Sequence, residues 1–217
     1  MYLAVSTRPD ISYAVNSLSQ FNSKFGKEHW IGAKRILRYL KGTLDYGLRY
    51  SPSDNSVCGY VDADWAGCVK DRKSYTGYAF KMANATTSWE SRKQQTVALS
   101  STEAEYMAIA DCTKEAMHVQ RFIAEATWTS SKGIAIFNDN QGAHQLAKNP
   151  VFHSRTKHID VRHHFLRDAV ENGQIHLKYM ASKEMPADVL TKGLPSSSHQ
   201  KCIENLGMTR RQLNLHS

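Results

Sequence analysis

The spacing of apolar residues predicts two amphipathic helices and a short strand in the first fifty positions. A first helical segment opens at Pro9, and a second helix is expected from Lys27 to Lys41, with Gly42 suited to its end. The apolar face of the second helix consists of Trp30, Ala33, Ile36, Leu37 and Leu40. A short strand is expected from Tyr46 to Tyr50, and the polar run 51–56 indicates a linker.

Beyond this linker the pattern predicts a mixture of strands and helices. Residues rich in β-branched and aromatic side chains predict consecutive strands at 57–61, 75–81 and 86–91. A stripe at helical spacing predicts a long helix from about Thr102 to Glu125. The later elements are a strand at 133–137, a short helix through Leu146, a basic helix near 161–170, a strand at 175–179 and a short helix at 185–192. This order predicts an α/β fold with a mixed sheet.

Composition narrows the classes of function. The chain has 217 residues, of which 41% are hydrophobic, so a buried core is possible and disorder is not expected. The formal charge of +8 favours an anionic partner such as nucleic acid. Apolar runs fall short of the roughly 20 residues that a membrane span needs, so no membrane partner is expected. The four cysteines are scattered without a C-x-x-C pair, which indicates reduced thiols.

Two basic segments leave alternatives open. The second helix carries Lys34, Arg35, Arg38 and Lys41 off its predicted apolar face, as either a solvated face or a phosphate-contacting one. The basic helix near 161–170 belongs to a histidine-rich region with His153, His158, His163 and His164. These spacings fit no structural zinc site well, so we favour a phosphate-facing helix over a zinc-binding regulatory module.

The most informative residues are four acidic ones at the ends of apolar strand-like runs or on an apolar helix: Asp62, Glu105, Asp139 and Asp188. Carboxylates in such places are costly unless they are paired, and four that converge in a basic protein suggest a two-metal site acting on a phosphodiester. Each also has an ordinary explanation. Asp62 suits a strand-end turn, Asp139 a helix N-cap, and Asp188 the first turn of a helix after Pro186.

Glu105 lies within two overlapping capping boxes. Ser100 is followed by Glu103 three residues later, and Thr102 is followed by Glu105 in the same way. If Ser100 caps the long helix, Glu103 satisfies the helix end and Glu105 is left without a structural task. We favour that arrangement.

Six stretches of sequence are specific enough to indicate a family: 62–67 (DADWAG), 71–78 (DRKSYTGY), 98–106 (ALSSTEAEY), 139–141 (DNQ), 148–160 (KNPVFHSRTKHID) and 187–192 (ADVLTK). Through them the chain from about Gly59 to Leu194 resembles the ribonuclease H domain of copia-type LTR retrotransposon Pol polyproteins. Stretches 6–11 (STRPDI) and 34–43 (KRILRYLKGT) resemble the carboxyl end of the adjoining reverse transcriptase.

The resemblance implies a ribonuclease H-like α/β fold, a five-stranded mixed sheet flanked by helices, with a small helical N-terminal extension. It implies a remnant of reverse transcriptase at 1–55, a ribonuclease H-like domain at 56–194, and a C-terminal helix and tail at 195–217. The Tyr-x-Asp-Asp polymerase signature is missing, so the chain is not expected to copy nucleic acid. Because it begins inside a family segment, we expect a fragment or a truncated element.

The resemblance also implies the site residues. The metal and catalytic carboxylates would be Asp62, Glu105, Asp139 and Asp188, holding two Mg²⁺ ions, with Mn²⁺ as a substitute. Glu105 is preferred over Glu103 because the family places the ligand directly before an apolar pair, and Asp64 is a reserve for Asp62. Thr102 and Gln141 match positions that touch the hybrid in related enzymes. Many ribonucleases H carry a histidine before the last acidic helix, and the loop 181–186 has none, which leaves proton delivery unassigned.

The expected function is hydrolysis of the RNA strand of RNA–DNA hybrids, with the substrate also held by the basic set on the second helix. The partners would be the hybrid and the rest of the Pol polyprotein, including reverse transcriptase. The expected location is intracellular, in cytoplasmic virus-like particles or the nucleus. The alternative is a catalytically silent fragment that binds nucleic acid without cleaving it.

Overall fold

A central β-sheet organises the molecule, and the computed structural model describes residues 1–53, 56–128, 133–148 and 157–211. The strands are β1 (Tyr46–Leu48), β2 (Cys58–Asp64), β3 (Tyr75–Met82), β4 (Ala85–Lys93), β5 (Ile134–Asn138), β6 (Ile175–Tyr179) and β7 (Met208–Arg210). The α-helices are α1 (Tyr2–Ser6), α2 (Ser12–Ser19), α3 (Lys27–Gly42), α4 (Ser101–Thr127), α5 (Gln141–Lys148), α6 (Lys157–Glu171) and α7 (Ser196–Asn205). Single 3₁₀ turns cover Pro9–Ile11, Ser182–Glu184 and Pro186–Leu190.

Five of the strands form one mixed sheet in the order β4-β3-β2-β5-β6. The first three strands of this sheet in chain order, β2, β3 and β4, pair antiparallel. The loop 65–74 joins β2 to β3, and a tight turn at 83–84 joins β3 to β4. Strands β5 and β6 run parallel to β2, with helices between them in the chain. The expected fold class, a five-stranded mixed sheet flanked by helices, is confirmed.

The sheet has a hydrophobic cluster on each face. On one face α4 packs against β2, β3 and β5, and the largest fully buried side chains there include Phe80, Ile109, Ile136 and Leu166. On the other face a smaller cluster forms around Leu190, Ile203 and Met208, contributed by the 3₁₀ turn Pro186–Leu190, α7 and β7. The last acidic segment, predicted as a short helix, is therefore a 3₁₀ turn packed directly on the sheet.

Two short strands that are far apart in the chain form a second, two-stranded sheet. Strand β1 pairs antiparallel with β7, which places Tyr46 opposite Arg210 and Leu48 opposite Met208. The prediction of a helix and a tail after Pro195 missed β7, because three residues give no periodicity to detect. The side chains of Tyr46 and Leu48 also pack on the cluster around Leu190. The division into segments 1–55, 56–194 and 195–217 stays a prediction.

Helix α3 differs from its prediction in which side chains it buries. Trp30 and Leu37, assigned to the apolar face, are 57% and 63% exposed. The inner face instead approaches α2 at Gly32, where an added Cβ would lie 3.1 Å from Leu18 Cδ2. One short helix cannot cover the whole apolar stripe of α3, so part of that stripe lies beside the basic set at the surface.

Some predictions fall on parts of the chain that the structure does not describe. These are the centre of the linker at 54–55, the stretch 149–156 with His153, and the side chains of 157–163 with His158 and His163. Within the described ranges, no helix combines the length and apolar character needed to cross a bilayer.

Candidate active site

The site is built where two parallel strands separate. Pairing between β2 and β5 covers only Cys58–Tyr60 with Ala135–Phe137, and both strands continue beyond it. Asp62 on β2 follows this junction and is only 2% exposed. Across the gap, Asn138 Nδ2 donates to the carbonyl of Val61 at 3.3 Å. The divergence leaves a slot at the end of the sheet into which other elements can place side chains.

The start of α4, just past its first turn, brings Glu105 to this slot. Ser100 Oγ accepts a hydrogen bond from the Glu103 backbone N–H at 3.1 Å, and the Glu103 carboxylate accepts one from the Leu99 N–H at 2.8 Å. Ser100 is therefore the N-cap, as predicted, and Glu103 binds the residue before the cap instead of the cap itself. Glu105 lies inward and is 5% exposed.

Asn138 holds Glu105 in place, and the sequence did not single it out. This fully buried amide donates to Glu105 Oε2 at 2.8 Å, while its Oδ1 accepts from the Asn140 N–H at 2.9 Å. The backbone N–H of Ala63 lowers the pKa of Glu105, against the larger effect of burial. The available signal was Asn138 as the last residue of an apolar strand, directly before Asp139.

The N-cap of α5 is Asn140 and not Asp139. Asn140 Oδ1 accepts from the Ala143 N–H at 2.9 Å and so caps α5, the task that the sequence left open for Asp139. One carboxylate oxygen from each of Asp62, Glu105 and Asp139 lies within 4.8 Å of the other two. Three of the four predicted carboxylates therefore converge.

The 3₁₀ turn Pro186–Leu190 delivers the fourth carboxylate from the opposite face. Gly77, the β3 partner of Asp62, makes this approach possible, because an added Cβ there would lie 2.6 Å from Leu190 Cβ. Thr191 Oγ1 donates a hydrogen bond to Asp62 Oδ2. Lys192 Nζ lies 3.4 Å from Asp62 Oδ2 and 3.1 Å from Asp188 Oδ1, and so connects the two carboxylates.

We call Asp62, Glu105, Asp139 and Asp188 the acidic cluster. Burial raises the pKa of Asp62, against the effects of Lys192 and Thr191. Burial and the Asp62 charge raise the pKa of Glu105 well above its ordinary value. Burial, followed by the Asp62 charge, raises the pKa of Asp188 to about 6. The two neighbouring carboxylates raise the pKa of Lys192 and outweigh its own burial.

The donor set fits a hard divalent cation. Mg²⁺ prefers oxygen ligands from one or two carboxylates together with substrate phosphate, and the acidic cluster supplies carboxylate oxygens from four side chains. Asp188 Oδ1 is buried and accepts no well-directed hydrogen bond, although Lys192 Nζ lies close to it. Such an oxygen has a lone pair available for a cation.

The other predicted site residues lie at different distances from the cluster. Asp64, the reserve for Asp62, lies against Gly67 in the loop after β2 and is not one of the three converging carboxylates. Thr102 borders the start of α5, since a Cβ on Gly142 would lie 3.2 Å from Thr102 Oγ1. Gln141, beside Gly142, is exposed. The basic residues of α3 lie on its outer side, and all four are exposed: Lys34, Arg35, Arg38 and Lys41.

Comparison with known proteins relates the chain to transposon polyproteins. It is 44% identical over 208 residues to the retrovirus-related Pol polyprotein from transposon TNT 1-94 of Nicotiana tabacum, covering 96% of this chain and 16% of that protein. The chain thus spans about a sixth of that relative's length. It is also 52% identical over 118 residues to secreted RxLR effector protein 161 of Plasmopara viticola, covering 54% of this chain and 83% of that one.

Among solved structures, LC11-RNase H1 in complex with an RNA/DNA hybrid aligns with 63% of this chain and 94% of its own, at 11% identity and a TM-score of 0.47. No protein-family model matches the chain.

Proposed function

Because the chain belongs to the family of retrovirus-related Pol polyproteins of transposons, we propose that it hydrolyses the RNA strand of RNA–DNA hybrids. This would be the ribonuclease H activity of such a polyprotein, with reverse transcriptase elsewhere in the same polyprotein as its partner and an intracellular location. One observation carries it: carboxylate oxygens of Asp62, Glu105 and Asp139 lie within 4.8 Å of one another in the slot between β2 and β5.

The arrangement suits phosphodiester hydrolysis better than a structural role. Buried carboxylates repel each other and lose hydration, so an ordinary fold avoids placing them together. Here Asn138, Thr191 and Lys192 donate to the cluster or pair with it, and so keep it intact. Two Mg²⁺ ions held there would supply Lewis-acid polarisation of the attacking water and of the scissile phosphate.

The residues of the chain perform the positioning. Asn138 fixes the orientation of Glu105, and Thr191 fixes Asp62, so both carboxylates are oriented before substrate arrives. The buried position of Asp62 excludes bulk water from the bottom of the slot, which strengthens electrostatic interactions there. Asp139 is the one of the three converging carboxylates that is partly exposed, so it would meet the substrate first.

We assign substrate binding to two parts of the molecule. Thr102 and Gln141 lie at the adjacent starts of α4 and α5, near the slot, where they could contact the 2′-hydroxyls that distinguish RNA from DNA. Lys34, Arg35, Arg38 and Lys41 on α3 would contact backbone phosphates. The ring of Trp30 lies beside these basic residues, and Lys34 Nζ is 6.0 Å from the centre of that ring.

A cleavage assay tests the proposal. The protein is mixed with a labelled RNA–DNA hybrid in Mg²⁺, in Mn²⁺ and in EDTA, beside duplex DNA and duplex RNA as control substrates. We expect cuts in the RNA strand of the hybrid alone, and only with a divalent ion. Binding of the hybrid without cleavage in either metal would instead support the alternative, a silent nucleic-acid-binding fragment.

A further inference from the structure

We propose that Lys192 is a built-in counter-cation of the acidic cluster, and that its ammonium must leave before a divalent ion can bind between Asp62 and Asp188. This inference rests on the proposed function only in taking the cluster as a divalent-cation site. It concerns the state of the protein before metal binds and makes Lys192 a positioning residue, not a catalytic one.

The geometry places the ammonium where an ion would have to bind. Lys192 Nζ lies 3.4 Å from Asp62 Oδ2 and 3.1 Å from Asp188 Oδ1, so it bridges one oxygen on each carboxylate. The same Asp62 Oδ2 also accepts from Thr191 Oγ1. Internal donors therefore occupy this oxygen, and a cation can use it only by replacing at least one of them.

Of these two donors, Lys192 is the one that can move. Its side chain is 38% exposed, whereas Thr191 is fully buried. The backbone N–H of Lys192 donates to the Asp188 carbonyl at 3.1 Å, which fixes the main chain while the long side chain remains free to turn. The space beside the next residue is open, because a Cβ on Gly193 would meet nothing within 4 Å.

Displacement has two opposite consequences for the protein. Without metal, the ammonium reduces repulsion within the cluster and stabilises the empty site. With metal, a second cation competes for the same oxygens, so Lys192 weakens binding. The apparent affinity for the ion is then reduced in proportion to the fraction of molecules in which the ammonium has left, so a lysine held on the cluster in about 80% or more of the molecules weakens binding by about fivefold or more.

Calorimetric titration with Mg²⁺ and thermal melting of wild type, Lys192→Gln and Lys192→Arg test the inference. Lys81→Gln is the matched control, since Lys81 is a lysine on β3 opposite Cys58 whose ammonium donates to the Asn205 carbonyl, away from the cluster. We expect Lys192→Gln to bind Mg²⁺ more tightly than wild type, by about fivefold or more, because the competing ammonium is gone, and to melt at a lower temperature in EDTA. Lys192→Arg, which keeps the charge, and Lys81→Gln should bind like wild type.

Equal or weaker Mg²⁺ binding by Lys192→Gln would overturn the inference, as would the absence of Mg²⁺ binding by both proteins. The hybrid cleavage assay separates this result from the fate of the proposed function. Cleavage by wild type, with unchanged affinity in Lys192→Gln, would reject the counter-cation and leave the nuclease intact. Tighter binding by Lys192→Gln, without cleavage by wild type, would support the counter-cation and reject the nuclease.

Discussion

The acidic cluster and the outer face of α3 carry opposite charges in opposite surroundings. In the cluster, Asp62 and Glu105 are almost completely buried and each is bound by specific donors. On α3, none of the four basic residues is buried, and Trp30 and Leu37 beside them are exposed as well. Burial makes each charge in the cluster depend on its neighbours, whereas water and salt screen the charges on α3 from one another.

This difference teaches where single substitutions should matter. Removal of one buried carboxylate changes the ligand set, the pKa values of its neighbours and the balance of repulsion together. Removal of one solvated lysine changes a long-range attraction that its neighbours also supply. We therefore expect all-or-none effects in the cluster and graded, salt-dependent effects on α3.

The largest effect is expected for Asp139→Asn. An amide of the same shape is a poor ligand for a hard cation, so hybrid cleavage in Mg²⁺ should fall by about 10³-fold or more. Hybrid binding, measured by fluorescence anisotropy, should remain within a few-fold of wild type. Asp64→Asn is the matched control on the neighbouring strand and should retain activity, because Asp64 lies outside the converging set. Turnover by Asp139→Asn close to that of wild type would contradict the metal role.

The two glutamates at the start of α4 should separate catalysis from stability. Glu105→Gln should inactivate the protein, because Glu105 belongs to the converging set. Glu103→Gln should keep cleavage and lower the free energy of unfolding by about 1 kcal/mol or less, because it only perturbs the helix start. Kinetics and urea unfolding of both variants check this contrast, and the reverse pattern would exchange the two roles.

Asn138→Ala should lower both the rate of hybrid cleavage and the free energy of unfolding. It removes a buried donor to a carboxylate, which costs roughly 1.5–3 kcal/mol of folding free energy, and it leaves Glu105 free to turn. Asn140→Ala is the control, since it should lose only the cap of α5, roughly 0.5–2 kcal/mol. If cleavage per folded molecule were the same in the two variants, Asn138 would have no positioning role.

The acidic cluster should also make the stability of the metal-free protein depend on pH. The pKa of Asp188 is raised to about 6, above its ordinary value of 3.8, so the folded state binds more protons than the unfolded state between these values. Ionisation of Asp188 therefore lowers stability as the pH rises through this window. In EDTA, we expect the melting temperature of Asp188→Asn minus that of wild type to be larger at pH 7 than at pH 4, by about 2 °C or more. A difference that does not change with pH would contradict the raised pKa.

The smallest effect per residue is expected on α3. Conversion of Lys34, Arg35, Arg38 and Lys41 to Gln should lower the slope of log affinity against log salt by about 0.9 for each backbone phosphate that these side chains neutralise in the wild type. The Michaelis constant should rise while turnover at saturation stays similar. A control with the same change in charge replaces the exposed residues Lys24, Arg72, Lys183 and Arg210. Equal slopes for the two variants would make the α3 set a solvated face.

The sequence by itself determined the features that local chemistry encodes. Periodicity located the strands of the central sheet and the long helix, because side-chain spacing follows the geometry of each element. The overlapping boxes at Ser100 and Thr102 were resolved correctly, since a cap depends on residues three positions apart. Long matching runs around Asp62, Glu105, Asp139 and Asp188 indicated the candidate ligands, although these residues are far apart in the chain.

Only the tertiary structure decided which side chains meet. The bond from Asn138 to Glu105, the bridge of Lys192 to Asp62 and the pairing of β1 with β7 join residues far apart in the chain, so no local pattern records them. The sequence pattern also could not predict that Trp30 is exposed. The apolar stripe of α3 shows which residues could be buried, but it does not show how much of the stripe a neighbouring element covers. Local preference specifies elements, whereas contacts between elements depend on the packing of the whole chain.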